Sequence, residues 1–359
     1  MKQYKVVVAG LGKRGKNHVT HFAKNPRFQV VGVCDIDAAR MDATKKEFNI
    51  ASSNADARAL LKETQPDIFC FCTLPNMRLD LIKAGAEAGV KLIAFEKPVA
   101  LSTNEAMEVM KVLRDKKVKG VVSHQHRYGE HYQKVAQIIQ SGAIGRVHTV
   151  YGTATGWMMH MITHLLEYTR WYAGNPEAEW VMAQASGTVK LNDIHKSPDY
   201  IAGFIQFKNG MRGIIECGAG APDVPEVEDK AWWGKCRMGA QGTEGFAEVL
   251  TKGGWRAITK DSKGVISGPG MMNYDLDMPG YIQDIANWLD DDSKVHPCNV
   301  ENAYKGLEIL MAMCRSVVTG GQVKLPLEKG DPEIEALAKK VAGTPTFSTT
   351  AETAKQYAQ

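Results

Sequence analysis

The chain has 359 residues, a formal net charge of +4, 44% hydrophobic and 23% charged residues, the balance of an ordinary soluble globular protein long enough for two domains. Its Lys and Arg are dispersed among acids without a basic run, so no nucleic-acid partner is expected. No apolar stretch approaches the ~20 residues of a membrane-spanning helix and no signal-peptide pattern precedes the first strand, so a cytoplasmic location without a membrane partner is expected.

Val6-Val7-Val8-Ala9 closes a predicted strand over 4 to 9 and runs into Gly10-Leu11-Gly12-Lys13-Arg14-Gly15, which opens a predicted helix over 13 to 24. A second strand, 28 to 34, ends at Asp35, twenty residues past Gly15. Strand, glycine turn, helix and a strand ending in a carboxylate together predict a dinucleotide site. Gly10 permits the tight turn, Gly12 lets the backbone approach a pyrophosphate, and Gly15 lets the helix pack closely on the strand. The pyrophosphate then meets free amides at a helix N-terminus. Asp35 is placed to accept the ribose hydroxyls and would repel a 2′-phosphate, and Ile36 supplies no cation, so NAD is favoured over NADP. Arg14 and Arg40 blunt that repulsion. Lys13, Arg14 and Ile36 complete the candidate coenzyme contacts at this end, and the competing reading is a glycine-rich turn with no ligand.

Strand patterns at 67 to 72, 91 to 95 and 118 to 124 alternate with helical patterns at 37 to 48, 55 to 63, 77 to 88 and 102 to 116, as a doubly wound parallel sheet requires. Ser102 and Glu105 form a capping-box pattern at the start of the last helix. Beyond His124 the pattern changes. A helix at 129 to 141, a strand at 146 to 155 and a helix at 158 to 173 precede strands at 178 to 189, 200 to 207, 211 to 217, 235 to 240, 245 to 250 and 254 to 260, and helices at 278 to 290 and 300 to 319 follow. Strands joined in sequence predict an α+β second domain on a large, mostly antiparallel open sheet. The expected organisation is an α/β dinucleotide-binding domain at 1–123, an α+β domain at 124–340 and a tail at 341–359. The Gly218–Gly234 segment, with Trp232-Trp233, reads equally as a lid or intersubunit arm and as a plain surface loop. The seven cysteines (Cys34, Cys70, Cys72, Cys217, Cys236, Cys298, Cys314) include no CxxC pair and read as buried reduced thiols.

Leu92-Ile93-Ala94-Phe95 is a short buried strand ending in Glu96-Lys97-Pro98. Open α/β sheets bind ligands beyond the carboxyl ends of their strands, which would aim Lys97 into the crevice of the glycine loop. A surface lysine held in a turn by Pro98 fits the spacing equally well.

With the glycine loop, Thr73-Leu74-Pro75-Asn76 after the third strand, Glu96-Lys97-Pro98, Arg127-Tyr128, Ser141-Gly142-Ala143-Ile144-Gly145, Gly242-Thr243-Glu244-Gly245 and a helix carrying His164, residues 4 to about 325 resemble the glucose-fructose oxidoreductase and inositol dehydrogenase (Gfo/Idh/MocA) family. The resemblance implies a Rossmann domain and a C-terminal domain whose open sheet mediates a homodimer or homotetramer. It also implies NAD(P)-linked oxidation or reduction of a sugar, sugar derivative or cyclitol. Carried over by position, Lys97 is the lysine between nicotinamide ribose and substrate, and His164 is the acid or base. Thr73, Leu74, Pro75, Asn76, Glu96 and Gln125 line the coenzyme. Arg127, Tyr128 and His160 join Lys97 and His164 as candidate substrate contacts, as does Trp157, whose Trp157-Met158-Met159 run reads equally as core packing.

Two positions depart from the family pattern. His160 stands where an aspartate precedes the catalytic histidine in a DxGxH pattern, and Leu79 replaces the histidine that often follows Pro-Asn. Positions i and i+4 share one helix face, and a second imidazole disfavours double protonation of the pair. The base is therefore His164 or the His160/His164 pair. The pair could instead bind a metal with a third ligand from His124, His126 or His195, although Met161 excludes an HExxH motif; no metal is assigned. The expected reaction passes a hydride between the sugar carbon and nicotinamide C4 while Lys97 stabilises alkoxide character. The alternatives are an NAD-recycling glycosidase acting by transient oxidation, elimination and re-reduction, and a dinucleotide-binding protein without catalysis.

Overall fold

The computed structural model describes residues 2–188, 191, 196–224, 227 and 236–345. Trp232, Trp233, His195 and the tail from 346 lie outside these residues. The chain divides into two compact units, one built from residues up to Tyr128 with Asn273–Tyr304, the other from Gly129–Met272 and residues from Lys305 on.

In the first unit the strands β1 (Tyr4–Ala9), β2 (Phe28–Cys34), β3 (Ser52–Ser53), β4 (Ile68–Phe71), β5 (Leu92–Phe95) and β6 (Lys119–Val122) alternate with the helices α1 (Lys13–Lys24), α2 (Ala38–Phe48), α3 (Ala57–Thr64), α4 (Arg78–Glu87) and α5 (Thr103–Asp115). The sheet order is β3-β2-β1-β4-β5-β6 and every pairing is parallel. β4 and β5 are buried at every position, which is why they read as unbroken apolar runs rather than alternating ones. The order reverses between β1 and β4, and the crevice beyond the strand ends at that point is where such sheets take ligands. At α5, Ser102 Oγ accepts from the Glu105 amide at 3.2 Å while the Glu105 carboxylate accepts from the Leu101 amide at 2.8 Å.

The second unit begins with α6 (Glu130–Gln140), β7 (Val147–Ala154) and α7 (Met158–Tyr172), followed by β8 (Ala178–Ser186), β9 (Tyr200–Phe207), β10 (Arg212–Gly218), β11 (Cys236–Gly242), β12 (Gly245–Leu250), β13 (Gly254–Ile258) and β14 (Ile266–Gly268). The chain then returns to the first unit in α8 (Tyr274–Asp290), crosses back in α9 (Val300–Thr319), and ends with β15 (Val323–Lys324) and α10 (Glu333–Val341). The nine-stranded sheet has the order β14-β13-β12-β11-β7-β10-β9-β8-β15, with β7 and β10 parallel and the other pairs antiparallel. α7 lies close over β7 because Gly152 offers no side chain: a Cβ there would meet Leu165 Cβ at 3.1 Å.

The break between units differs from the linear boundary after residue 123. α8 carries Met278, Tyr281, Ile282 and Ile285, an i, i+3, i+4, i+7 stripe, into one buried cluster with Val19, Phe22 and Phe28 of the first unit. Burial of that stripe, rather than position in the chain, assigns α8 to the Rossmann sheet. α8 also starts four residues before the expected Met278. Asn273 Oδ1 caps it by accepting from the Asp275 amide at 2.9 Å, and Pro279 sits inside the helix. No helix among the described residues is long and apolar enough to cross a membrane.

Candidate active site

Gly10 has a φ of +79°, and a Cβ on it would stand 2.7 Å from the Cys72 carbonyl oxygen. At Gly15 a Cβ would fall 1.7 Å from the Gly10 carbonyl oxygen, whereas at Gly12 it would meet nothing within 4 Å. Two glycines are therefore required by the packing of the turn, and the third leaves its outer side open. Gly12 is also the N-cap of α1 and supplies no side chain to its amides, so the first turn presents free N–H groups at the positive end of the helix. Lys13 is exposed at the first position of that turn.

Asp35 is buried at the end of β2. Its carboxylate accepts from the Leu11 amide at 2.5 Å, the Asp37 amide at 2.9 Å and Arg40 Nη1 at 3.3 Å. Burial works against ionisation, yet the two amides and Arg40 hold the carboxyl below the ordinary aspartate range. Ile36 beside it is 95% exposed. Of the two cations expected to soften this end, only Arg40 is there. Arg14 turns to Glu96, with Nε 3.0 Å from Oε1, and lies 4.2 Å over the Tyr274 ring.

After β4, Thr73 is half-buried, Leu74 and Asn76 are exposed and Pro75 is buried at the head of the 3-10 turn Pro75–Met77. After β5, Glu96 sits between Arg14 and His18, whose Nε2 is 3.5 Å from the same oxygen. Burial opposes its charge, but Arg14, His18 and Lys97 hold its pKa well below the usual carboxylate range. Lys97 is held down to about 8, by burial first and then by Arg78 and Arg14, with Glu96 opposing. The side chain that fixes this turn is Arg78. It is 1% exposed and donates from Nε to the Pro98 carbonyl, from Nη2 to the Lys97 carbonyl at 2.6 Å and from Nη1 to the Thr73 carbonyl at 3.4 Å. One guanidinium thus joins the β4 and β5 turns. Sequence reasoning missed it; the only signal was a cation in the first turn of α4, directly after Pro75-Asn76-Met77.

Gln125 is buried in the 3-10 turn Gln125–Tyr128. Its Oε1, together with Thr73 Oγ1 and Arg14 Nη2, is a buried polar atom with no protein partner. Such atoms are ordinarily satisfied. Together with the open side of Gly12 and the uncapped α1 amides, they make these residues a fit for a dinucleotide.

Arg127 and Tyr128, expected at the substrate, are engaged inside the first unit. Arg127 Nη1 donates to the Pro297 carbonyl at 2.9 Å and Tyr128 Oη to Asp284 Oδ2 at 2.6 Å. Tyr128 also packs on Gly280, where a Cβ would come within 2.6 Å of its ring. The neighbouring His126 meets the Asp277 carboxylate at 2.6 Å with both groups buried. Asp277 belongs to α8 and had no signal in the N-terminal motifs.

In the second unit every residue of α7 is buried except His160 and His164, which are half-buried one helical turn apart. Trp157, the N-cap, continues the same strip, its ring 6.4 Å from that of His160. His164 Nδ1 is 3.3 Å from Tyr168 Oη, and the two rings stack at 5.9 Å. Among the described residues the three-ligand group of His, Cys or acidic side chains is His18, Cys70 and Cys72 in the first unit, without either histidine of α7. Of the proposed third ligands, His195 is outside the described residues.

Residues 4–124 match the oxidoreductase family with an NAD-binding Rossmann fold. An uncharacterized oxidoreductase, YrbE, of Bacillus subtilis is 27% identical over 234 residues, 60% of this chain and 67% of the relative. Inositol 2-dehydrogenase of Rhizobium meliloti is 30% identical over 141 residues, 39% of this chain and 42% of the relative. The matched stretches thus span about two-thirds or less of these relatives. The solved levoglucosan dehydrogenase in complex with NADH and levoglucosan superposes with a TM-score of 0.77 at 18% identity, covering 91% of this chain and 100% of that one, a likeness of fold.

Proposed function

From the match of residues 4–124 to the oxidoreductase family with an NAD-binding Rossmann fold, we propose that the chain is a member of the glucose-fructose oxidoreductase and inositol dehydrogenase (Gfo/Idh/MocA) family and an NAD-dependent oxidoreductase acting on a ring hydroxyl, or the matching keto group, of a sugar, sugar derivative or cyclitol. The observation that carries this reading is Lys97: a half-buried ammonium on a turn locked by Arg78, next in sequence to the carboxylate that holds Arg14 of the glycine loop. Inositol and levoglucosan, the substrates in the names of two similar proteins, support this substrate class.

Bound NAD supplies the hydride acceptor at nicotinamide C4, and its reduced form the donor. Gly10, Gly12 and Gly15 with the α1 amides would hold the pyrophosphate, and Asp35 would take the ribose hydroxyls. Thr73 and Gln125 offer their unpartnered oxygens to the coenzyme. Lys97 holds the reacting oxygen of the substrate and stabilises the alkoxide charge that develops on it. His164, or the His160/His164 pair, takes the hydroxyl proton, and Trp157 offers an aromatic surface to the apolar face of the ring. In the reverse direction the imidazole returns the proton to the oxygen that Lys97 holds. We propose a homodimer or homotetramer through the second unit's sheet, which a light-scattering mass at a multiple of 39.4 kDa would support.

The deciding experiment is a panel of sugars, cyclitols and glycosides offered with NAD, read as NADH absorbance and product. Stoichiometric NADH and a keto product are expected. Coenzyme binding with no turnover on the panel would overturn the enzyme reading, and glycoside cleavage without NADH would replace it by redox-neutral hydrolysis.

A further inference from the structure

Beneath the glycine turn, three side chains that the coenzyme reading leaves unused converge. Cys70 and Cys72 stand two residues apart at the end of β4 and so share one side of the sheet, and His18 comes down on them from α1. One ligand atom from each lies within 4.8 Å of the others. His18 and Cys70 are 0% exposed, while Cys72 is half-buried. Six of the seven cysteines are buried, as the sequence suggested, and Cys72 is the exception. The His18 ring is oriented from behind, with Nε2 3.3 Å from Ser123 Oγ and 3.5 Å from Glu96 Oε1. The fully buried ring also hydrogen-bonds the Cys72 side chain.

We propose that His18, Cys70 and Cys72 are a binding site for a thiophilic divalent cation of the zinc type. Two sulfurs and an imidazole nitrogen are the donors that such ions prefer to hard Mg²⁺ or Ca²⁺. Ligand atoms within 4.8 Å of one another are near the spacing that metal–sulfur and metal–nitrogen bonds of roughly 2.3 and 2.0 Å impose. The Ser123 and Glu96 contacts to Nε2 fix the ring as the outer partners of a metal-bound histidine do. A cation bound by the two sulfurs takes the place of their thiol protons, which pass to solvent.

The test uses the whole chain, reduced and stripped with chelator, titrated with Cd²⁺. A thiolate-to-cadmium charge-transfer band is expected to saturate at one equivalent and to be lost in Cys70→Ala, a variant whose fold is checked by NAD binding. No band at one equivalent, or a full band in folded Cys70→Ala, overturns the proposal. Should Cys70→Ala not fold, X-ray absorption of the zinc-loaded native chain decides: two sulfurs and an imidazole support the site, and any other ligand set sinks it. Neither measurement depends on turnover, so failure of the dehydrogenase reading would leave the result intact.

Discussion

Lys97 is held down to about 8, well below an ordinary lysine near 10.4, and this sets an observable pH dependence. The ammonium dominates below about 8 and is lost as pH rises through it. If the ammonium holds the alkoxide, kcat/KM for hydroxyl oxidation falls above about pH 8, and Lys97→Arg, whose cation does not titrate there, removes that limb. Lys97→Ala is expected to lower kcat about 10²- to 10³-fold while coenzyme affinity stays within a few-fold. A profile flat through pH 8, or a Lys97→Ala enzyme with native kcat, removes the lysine from the reaction. Asp35 supports a separate prediction. Its carboxyl is ionised at neutral pH because Leu11, Asp37 and Arg40 hold its pKa down. Asp35→Ser therefore removes a fixed negative charge from the ribose end, leaving Arg40. The ratio of NADP to NAD affinity should rise about tenfold or more, on the order of 1.4 kcal/mol, by direct titration of both coenzymes. An unchanged ratio would mean that Asp35 does not set the preference.

At the scale of elements, the turns after β4 and β5 are one assembly because Arg78 bonds to carbonyls of both. Its guanidinium, pulled down to about 10 by burial, is retained because those carbonyls need a donor. Arg78→Met leaves them unsatisfied, and a loss of roughly 2–4 kcal/mol in denaturant unfolding is expected. In the folded fraction kcat should fall more than NAD affinity, since Lys97 loses its support and the glycine loop does not. Equal stability of Arg78→Met and the native chain would refute the clamp. Gly15→Ala tests the other side of the crevice: with a Cβ 1.7 Å from the Gly10 carbonyl, the turn must distort, and coenzyme binding should be lost. The elements that periodicity placed with their true limits, β1, α1, β2, β9, β12 and α9, carry their own burial pattern. α10, which it missed, also buries a stripe of its own, Ile334, Leu337 and Val341, but the short strands it missed do not. β3 is two serines paired at the sheet edge with Gly32 and Val33, and β15 is two residues paired with β8. α8 starts before the expected 278 because Asn273 caps it locally, and Pro279 is accommodated inside the helix.

Across the whole molecule, the coenzyme motifs were legible because they occupy contiguous strand–turn–helix stretches in the first 124 residues. The partners that finish them were not. Tyr274, Asp277, Tyr281 and Asp284 reach the first unit from α8, more than 140 residues beyond the Gln125–Tyr128 turn, and no local pattern announces such contacts. This organisation separates the proposed roles experimentally, because Lys97 and the coenzyme cradle belong to the first unit and His160 and His164 to the second. Removing an imidazole should change the chemical step and spare coenzyme affinity. His164→Gln is expected to lower kcat about 10²- to 10⁴-fold, with the NAD Kd within a few-fold of native. The effect of His160→Gln then assigns the base. A much smaller loss makes His164 the acceptor on its own, while a loss of similar size, with no further loss in the double variant, makes the two a coupled pair that acts as a unit. Native kcat in both single variants would show that α7 carries no part of the proton transfer, whatever the coenzyme does in the first unit.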